Sequence, residues 1–185
     1  MKKVLKWGGI IMLVLIVLGV IGSMGDDEPQ KVGSKDQPAQ SSQQTNTTAD
    51  ETTVYAVGDQ VQMGDVILTV NKVETSNGGQ FTSPSEDNHW VELNLTLQNT
   101  GSDQEFITTL GQMFVIDDES NQYQVTVTGK RMENAGSMGL DGALIAKAKK
   151  TDWVGFEVPK DATGLKLQYN ASFWNNKNIL VDLGM

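Results

Sequence analysis

The sequence predicts an all-β protein whose main domain is a sandwich of two packed antiparallel sheets. Across several short segments, apolar residues recur at every second position, which is the side-chain period of a strand with one buried face. Gly, Pro, Asn and Asp separate these segments, and these residues favour turns. About seven short strands of this kind, each with one hydrophobic face, are typical of two sheets packed face to face.

The strands are predicted where the alternation is strongest. In HWVELNLTLQNTG, residues 89–101, the Val and Leu residues are predicted to face the core and the residues between them to face water. Residues 113–117 and 123–127 are predicted to pair as a hairpin around DESNQ. Other strands are predicted in residues 66–73, 153–158, 165–169 and 179–183. The only helical turn is predicted within residues 140–149, inside a Gly-rich connection from 128 to 150.

The N-terminus predicts a single membrane-spanning signal anchor. Residues 1–6 contain three lysines, and residues 7–25 form an uncharged, largely apolar stretch of 19 residues. A helix of about 20 residues crosses the roughly 30 Å hydrocarbon layer. Lysines before the stretch and acidic residues after it place residues 1–6 in the cytoplasm and the rest of the chain outside. Cleavage after Gly22 or Gly25 would instead give a secreted protein, but neither position has the small-residue pattern that signal peptidase prefers.

Two further regions follow the predicted anchor. Residues 26–52 are rich in Gln, Ser, Thr, Asp and Pro, and Val32 is their only large aliphatic residue. Such a segment buries too little apolar area to offset its ordering entropy, so we expect a disordered polar linker. Residues 53–185 contain the predicted strands and are long enough for one domain with a single core, which is placed outside the cell.

Charge and composition exclude several function classes. Removing the three N-terminal lysines leaves 11 basic residues against 23 acidic ones, so the remainder carries a formal charge of about −12. Such a surface repels nucleic acid. The chain has no cysteine and one histidine, His89, which excludes disulfides, thiol nucleophiles and anchoring through a lipidated cysteine. No cofactor motif and no catalytic set is recognisable, so we expect a non-catalytic protein without a cofactor.

Several segments together resemble a bacterial family of exported proteins. VILTVNKVE (66–74), HWVELNLTLQNTG (89–101), FVIDDESNQY (114–123) and WVGFEVPKDATGLKLQY (153–169) follow one another as they do in the domain-of-unknown-function family 4352. That family occurs mainly on exported proteins and lipoproteins of Gram-positive bacteria. The resemblance implies the immunoglobulin-like sandwich of the mycobacterial secreted immunoprotective antigen, without catalytic residues. It also implies a surface location, although this chain lacks the cysteine that anchors many relatives.

Two sets of residues are candidates for binding. Asp117, Asp118 and Glu119 are predicted to lie on an exposed turn, and carboxylates of this kind bind calcium outside the cell. Against a calcium site, the run lacks the spaced ligands of a calcium loop, and an ordinary polar hairpin explains it as well. Trp90 and Trp153 fall on the faces opposite the aliphatic rows of their strands, where tryptophans stack on sugars or anchor partners. The alternative is that each tryptophan closes an end of the sandwich or lies under the long connection.

These observations predict a membrane-anchored, extracellular interaction module of a Gram-positive envelope. Its partner is expected to be another envelope protein, contacted through a sheet edge or a loop end of the sandwich. The alternative is a module that binds cell-wall glycan or calcium. The residues do not identify the partner.

Overall fold

The structure is a computed structural model that describes residues 28–34, 53–79, 82–127, 129, 139–171 and 177–185. Within these residues there are twelve strands and one short helix. In chain order they are β1 Gln30–Ser34, β2 Val54–Ala56, β3 Asp59–Met63, β4 Val66–Ser76, β5 Asn88–Asn99, β6 Glu105–Ile107, α1 Thr109–Gln112, β7 Met113–Ile116, β8 Gln122–Thr126, β9 Gly142–Leu144, β10 Lys149–Pro159, β11 Lys166–Tyr169 and β12 Ile179–Asp182.

Ten of the strands form two sheets that are joined through β8. The order is β1-β3-β4-β5-β10-β8-β7-β11-β12-β2, and β6 and β9 form a separate two-stranded sheet. β8 pairs with β10 on one side and with β7 on the other. The pairs are antiparallel, except that β12 and β2 run parallel. The chain is therefore the predicted all-β protein, and sequence alternation correctly located most of its long strands.

The core lies between the two sheets. Val91, Leu93, Leu95 and Leu97 of β5 are fully buried, as the alternation predicted. Residues of β7, β11 and β12 on the opposite sheet join the same cluster. Burying one such side chain contributes roughly 1.5–3 kcal/mol, so this row is a main source of stability.

The predicted helical turn is wrong in its position. Within residues 140–149 the structure has strand β9, and the described helix is α1, outside that range. β9 pairs with β6, and Leu144, opposite Glu105, is fully buried. Pairing with a strand that is distant in sequence satisfies the backbone of β9. A single helical turn would not, since short helices are marginal in water.

The predicted disordered linker is wrong for Gln30–Ser34, which forms the edge strand β1 and pairs with β3. Around β1, Lys31 Nζ lies 2.6 Å from Asp59 Oδ1, and Tyr55 donates a hydrogen bond of 2.7 Å to the carbonyl of Pro29. Composition reflects only the apolar area that the segment itself can bury, whereas β1 is also ordered by backbone pairing with β3, which would otherwise be an unprotected sheet edge.

The predicted cytoplasmic tip and membrane anchor, residues 1–25, lie outside the described residues, as do residues 26–27 and 35–52. Over the ranges that the structure describes, no helix has both the length and the apolar character to cross a membrane.

The strand register defines two ends of the sandwich. Val66 pairs with Asn99, and Gln98 pairs with Lys149, so the loops beside these residues lie together. β8 is antiparallel to both β10 and β7, so β7 starts at the same end as β10. Tyr169 pairs with Met113 and with Ile179, so β12 also starts there. We call it the entry end, because β1 enters the sheet there. It comprises residues 28–29, 64–65, 100–112, 139–150, 170–171 and 177–178. The opposite end, which we call the hairpin end, comprises residues 57–58, 77–87, 117–121, 160–165 and 183–185.

Candidate functional site

A polar crevice opens at the hairpin end, where the β7–β8 turn faces the loop between β10 and β11. Its volume is about 150 Å³. The three carboxylates that the sequence singled out for calcium all line it. The lining residues are Asp117, Asp118, Glu119, Asn121, Tyr123, Pro159, Asp161, Ala162 and Thr163.

Asp117 organises the β7–β8 turn. Its Oδ1 accepts a hydrogen bond of 2.8 Å from the backbone N–H of Asn121. Its Oδ2 accepts two more, each of 2.8 Å, from Asn121 Nδ2 and from the hydroxyl of Tyr123. The side chain is buried. Asp117 therefore satisfies the donors of the turn, which is a common role for Asp in connections between strands.

These contacts shift the pKa values of both partners. Burial raises the pKa of Asp117, but the hydrogen bonds from Asn121, Tyr123 and the backbone outweigh it, so the net pKa lies below its usual range. Burial, together with the contact to Asp117, raises the pKa of Tyr123 to about 12. Near neutral pH the pair is therefore a carboxylate that accepts a hydrogen bond from a neutral phenol.

Asp118 connects the turn to the opposite wall of the crevice. Its Oδ2 accepts a hydrogen bond of 2.9 Å from Thr163 Oγ1, and its backbone N–H donates one of 3.0 Å to the carbonyl of Thr163. Glu119, the next residue, is exposed. The two loops that form the crevice are thus cross-linked by a side-chain contact and a backbone contact.

The calcium candidates share the crevice without forming a cradle for a cation. No group of three His, Asp or Glu side chains comes close enough to hold a metal ion within the described ranges. Both oxygens of Asp117 accept hydrogen bonds within the turn. Calcium takes six to eight oxygen ligands. The contacts of Asp117 and Asp118 explain how the two loops of the crevice are held in place. Calcium binding stays a prediction.

Trp90 is not part of an exposed binding surface, and of the two interpretations of this residue burial is the correct one. Its side chain is 1% exposed, and its Nε1 has no hydrogen-bond partner within the described part of the chain. Trp153 is half-buried on the same outer face of the sheet, where its strand position pairs with Asn94. The two tryptophans therefore do not form the exposed pair that a stacking surface needs.

The outer face of β5 is covered, whereas the alternation predicted it to be wet. A Cβ atom added to Gly129 would lie 2.6 Å from Glu92 Oε1 and 3.4 Å from Trp90 Cε3. Gly129 has a φ of +75°, which favours glycine. Gly129 therefore packs closely against the polar face of β5. The sequence signal for this was the long Gly-rich connection that begins at residue 128.

Two residues that hold loops of the hairpin end were not predicted from the sequence. Glu157 Oε1 accepts hydrogen bonds of 2.8 Å from the backbone N–H of Ser85 and of 3.0 Å from Asn88 Nδ2, and these contacts lower the pKa of Glu157. Thr163 bonds Asp118, as described above. Neither belongs to a recognisable motif, because both pair with residues that are distant in the sequence.

His89 lies beside this region as a half-buried side chain. Burial and the nearby charge of Lys160 lower its pKa, which favours the neutral ring. Its Nε2 has no hydrogen-bond partner within the residues that the structure describes.

Solved structures share this sandwich. The yjhA protein from Bacillus subtilis is 21% identical, with a TM-score of 0.51, and the match covers 70% of this chain and 99% of that one. A putative lipoprotein, ycdA, from Bacillus subtilis is 16% identical, with a TM-score of 0.50, and the match covers 63% of this chain and 36% of that one. The secreted protein MPT63 from Mycobacterium tuberculosis is 12% identical, with a TM-score of 0.48, and the match covers 71% and 99%.

No curated protein matches the chain. The family described as "Domain of unknown function (DUF4352)" matches residues 55–179, which is more than half of the sequence. The matched range contains the crevice residues and strands β3 to β11. The resemblance inferred from the strand segments is therefore confirmed, and the chain belongs to the DUF4352 family.

Proposed function

We propose that this protein is a non-catalytic interaction module on the outer face of a bacterial envelope membrane. Residues 7–25 anchor it, and the hairpin end of the sandwich contacts a protein partner.

The observation that carries the proposal is the preorganisation of the hairpin end. Asp117 closes the β7–β8 turn, Asp118 ties that turn to Thr163, and Glu157 holds the loop before β5. Polar groups that accept hydrogen bonds from their own loops stiffen those loops. A surface that is already ordered loses less conformational entropy on binding, which favours recognition. Loops that a rigid sandwich positions at one of its ends are also a common place for binding.

The location is supported by the N-terminal sequence. The uncharged stretch in residues 7–25 has the length of a membrane-spanning helix, and the lysines before it favour an outward domain. ycdA, which shares the fold, is described as a putative lipoprotein. An address at the membrane surface agrees with that description.

Charge at the hairpin end indicates the chemistry of the partner. Of the side chains described there, six are carboxylates and one is a lysine. They are Glu86, Asp87, Asp117, Asp118, Glu119, Asp161 and Lys160. Complementary charge speeds association and suppresses wrong partners, so a basic protein surface is favoured.

A crosslinking pull-down from intact cells tests the proposal. The full-length protein is compared with the double variant Glu119→Lys and Asp161→Lys, which reverses two exposed charges beside the crevice. Asp103→Lys, an exposed residue at the entry end, is the matched control. We expect one specific protein to be captured by the wild type and by the control, and at least tenfold less of it by the double variant.

Equal capture of the partner by all three proteins would show that the hairpin end is not the surface that contacts it. The alternative, a module for calcium or wall glycan, predicts instead that calcium or wall fragments raise the Tm of the full-length protein. An increase that the double variant abolishes would favour that alternative.

A further inference from the structure

We propose that the entry end of the sandwich lies against the lipid surface, with Phe106, Leu110 and Ile145 among the headgroups. This inference rests on the membrane anchoring in the proposed function and adds an orientation to it. It assigns a role to an apolar surface that the interaction at the hairpin end does not use.

The β6–β9 sheet exposes apolar side chains on its outer face. Phe106 is 68% exposed and Ile145 is 63% exposed. Phe106 pairs with Ala143, and Ile145 follows two residues later, so the alternation of side chains puts it on the same face. Ile107 and Leu144 point the other way and are buried. Both faces of this small sheet are therefore apolar, although only one is covered by the core.

α1 and β9 hold this apolar surface at the entry end. The Asn99 side chain, at the end of β5, donates a hydrogen bond of 2.9 Å to the carbonyl of Leu144. The backbone N–H of Thr109 donates one of 2.6 Å to Asp141 Oδ1, which ties α1 to the turn before β9. Leu110 of α1 is 49% exposed. The three exposed apolar residues thus share one end of the molecule.

The chain reaches the membrane from this same end. Glu28 Oε1 lies 2.8 Å from Lys177 Nζ, so the chain enters the sandwich beside the start of β12. Three peptide units separate Glu28 from Gly25, the last residue of the predicted anchor. They span at most about 10 Å, whereas the headgroup layer is roughly 5–7 Å thick on each side. Because β1 pairs with β3, the distance from the predicted anchor to the sandwich is set by the three peptide units before Glu28.

The apolar surface lies within reach of the bilayer at that distance. β5, from which the chain continues into β6, is three strand positions away from β1. Adjacent strands are about 4.8 Å apart, so the surface is about 14 Å to the side of the entry point. A sandwich whose entry end faces the bilayer therefore brings Phe106 and its neighbours to the headgroups.

The charges at the two ends of the sandwich favour the same orientation. Among the described residues, the entry end carries five carboxylates and four lysines. They are Glu28, Asp65, Asp103, Glu105, Asp141, Lys147, Lys149, Lys150 and Lys177. The hairpin end, with six carboxylates and one lysine, is far more acidic. Anionic lipids repel the hairpin end more strongly, which favours the orientation with the entry end at the membrane.

Depth-dependent fluorescence quenching tests the orientation. The full-length protein is reconstituted in vesicles of phosphatidylethanolamine and phosphatidylglycerol, and an environment-sensitive fluorophore is attached to Ala143→Cys. The chain has no cysteine, so the label is unique, and Phe106, Leu110 and Ile145 stay in place. Glu119→Cys, at the hairpin end, is the matched control.

We expect emission from the label at residue 143 to shift to the blue and to be quenched by lipids with a nitroxide near the headgroup. The label at residue 119 should show neither effect. Adding Phe106→Ser and Ile145→Ser to Ala143→Cys should reduce the quenching at least twofold.

Three outcomes would overturn the inference. If the protein stays in the vesicles after an alkaline wash but both labels are quenched equally weakly, the orientation fails and the anchoring stands. If emission at residue 143 shifts to the blue without quenching, a second copy or another protein covers this end instead of lipid. If the alkaline wash removes the protein, the anchoring in the proposed function fails, and the inference fails with it.

Discussion

Asp117 shows how a residue that suggests a ligand site can serve the architecture. In the sequence it is the first of three consecutive acidic residues. In the structure its carboxylate accepts three hydrogen bonds within one turn. The sequence predicts the turn, because Asp and Asn favour such connections. It also predicts the hairpin of β7 and β8, but not the hydrogen bond from Tyr123, which depends on the exact register of that pair.

The lowered pKa of Asp117 predicts a stability difference that depends on pH. The pKa is lower in the folded state than in the unfolded state, where it is about 3.9, so the unfolded state binds more protons in this range. The stabilisation is therefore present above the unfolded pKa and is lost as the pH falls through the folded value. We expect Asp117→Asn to lower Tm by several degrees at pH 7 and by less at pH 2.5, measured by circular dichroism.

The matched control is Glu119→Gln, which changes an exposed neighbour. Surface substitutions of this kind are usually within about 0.5 kcal/mol of the wild type, so its Tm should stay close to that of the wild type at both pH values. A loss for Asp117→Asn that is the same at pH 7 and pH 2.5 would contradict the assignment of the effect to the carboxylate charge.

Gly129 gives a second prediction at this scale. Gly129→Ala places a side chain at positive φ and a Cβ atom against Glu92. We expect it to lower the free energy of unfolding by about 1–3 kcal/mol, measured by urea denaturation. Gly142→Ala is the control, because Gly142 has a φ of +86° but no atom within 4 Å of the added Cβ. If Gly142→Ala lowers the free energy of unfolding more than Gly129→Ala does, close packing over Glu92 is not the reason why position 129 needs a glycine.

Among the elements, strands with their own alternating pattern were predicted from the sequence, whereas strands that depend on a distant partner were not. β4, β5 and β10 alternate clearly and were predicted, since each carries the hydrophobic face that it buries. β1 and β9 are short and carry weak patterns. Each forms a strand because it pairs with a strand that is distant in the sequence, β3 for β1 and β6 for β9. The local sequence of β1 or β9 does not show which strand that partner is.

β1 predicts a measurable contribution to stability. Starting the chain at Thr53 removes the pairing with β3, the ion pair between Lys31 and Asp59, and the hydrogen bond from Tyr55 to Pro29. We expect urea denaturation to show a loss of about 1–3 kcal/mol, relative to a chain that starts at Asp26.

A chain that starts at Asp26 and lacks residues 38–47 is the control for β1. It keeps the strand but shortens the connection to β2, and loop length changes stability by only about 0.6 kcal/mol per doubling. Equal stability of the Thr53 and Asp26 chains would mean that β1 contributes nothing to the sandwich.

For the whole molecule, the fold class followed from the sequence but the way in which the sheets join did not. Alternation with period two indicates two faces and hence two sheets. β8 belongs to both sheets, because it pairs with β10 and with β7. The candidate site at the crevice was also predicted only in part. The sequence identified the acidic turn, but the opposite wall of the crevice comes from the loop between β10 and β11, and its position depends on the whole fold.

Sharing β8 predicts that both sheets unfold together. One core cluster includes residues from every strand from β2 to β12, so neither sheet keeps a core of its own when the other is lost. We expect a single calorimetric transition, with a calorimetric enthalpy equal to the van't Hoff enthalpy. Two resolved transitions, or an enthalpy ratio well above one, would show that the sheets are separate cooperative units.

The docking of β1 also has a mechanical consequence. In an anchored chain, any pull between the membrane and a partner at the hairpin end passes through Glu28 into β1. Such a pull acts along the strand, so it loads the hydrogen bonds to β3 together instead of opening them one at a time. If β1 did yield, the 25 residues from 28 to 52 would extend by up to about 85 Å. β1 would then keep the domain close to the bilayer at low force. Its release at high force would let the domain move away from the membrane.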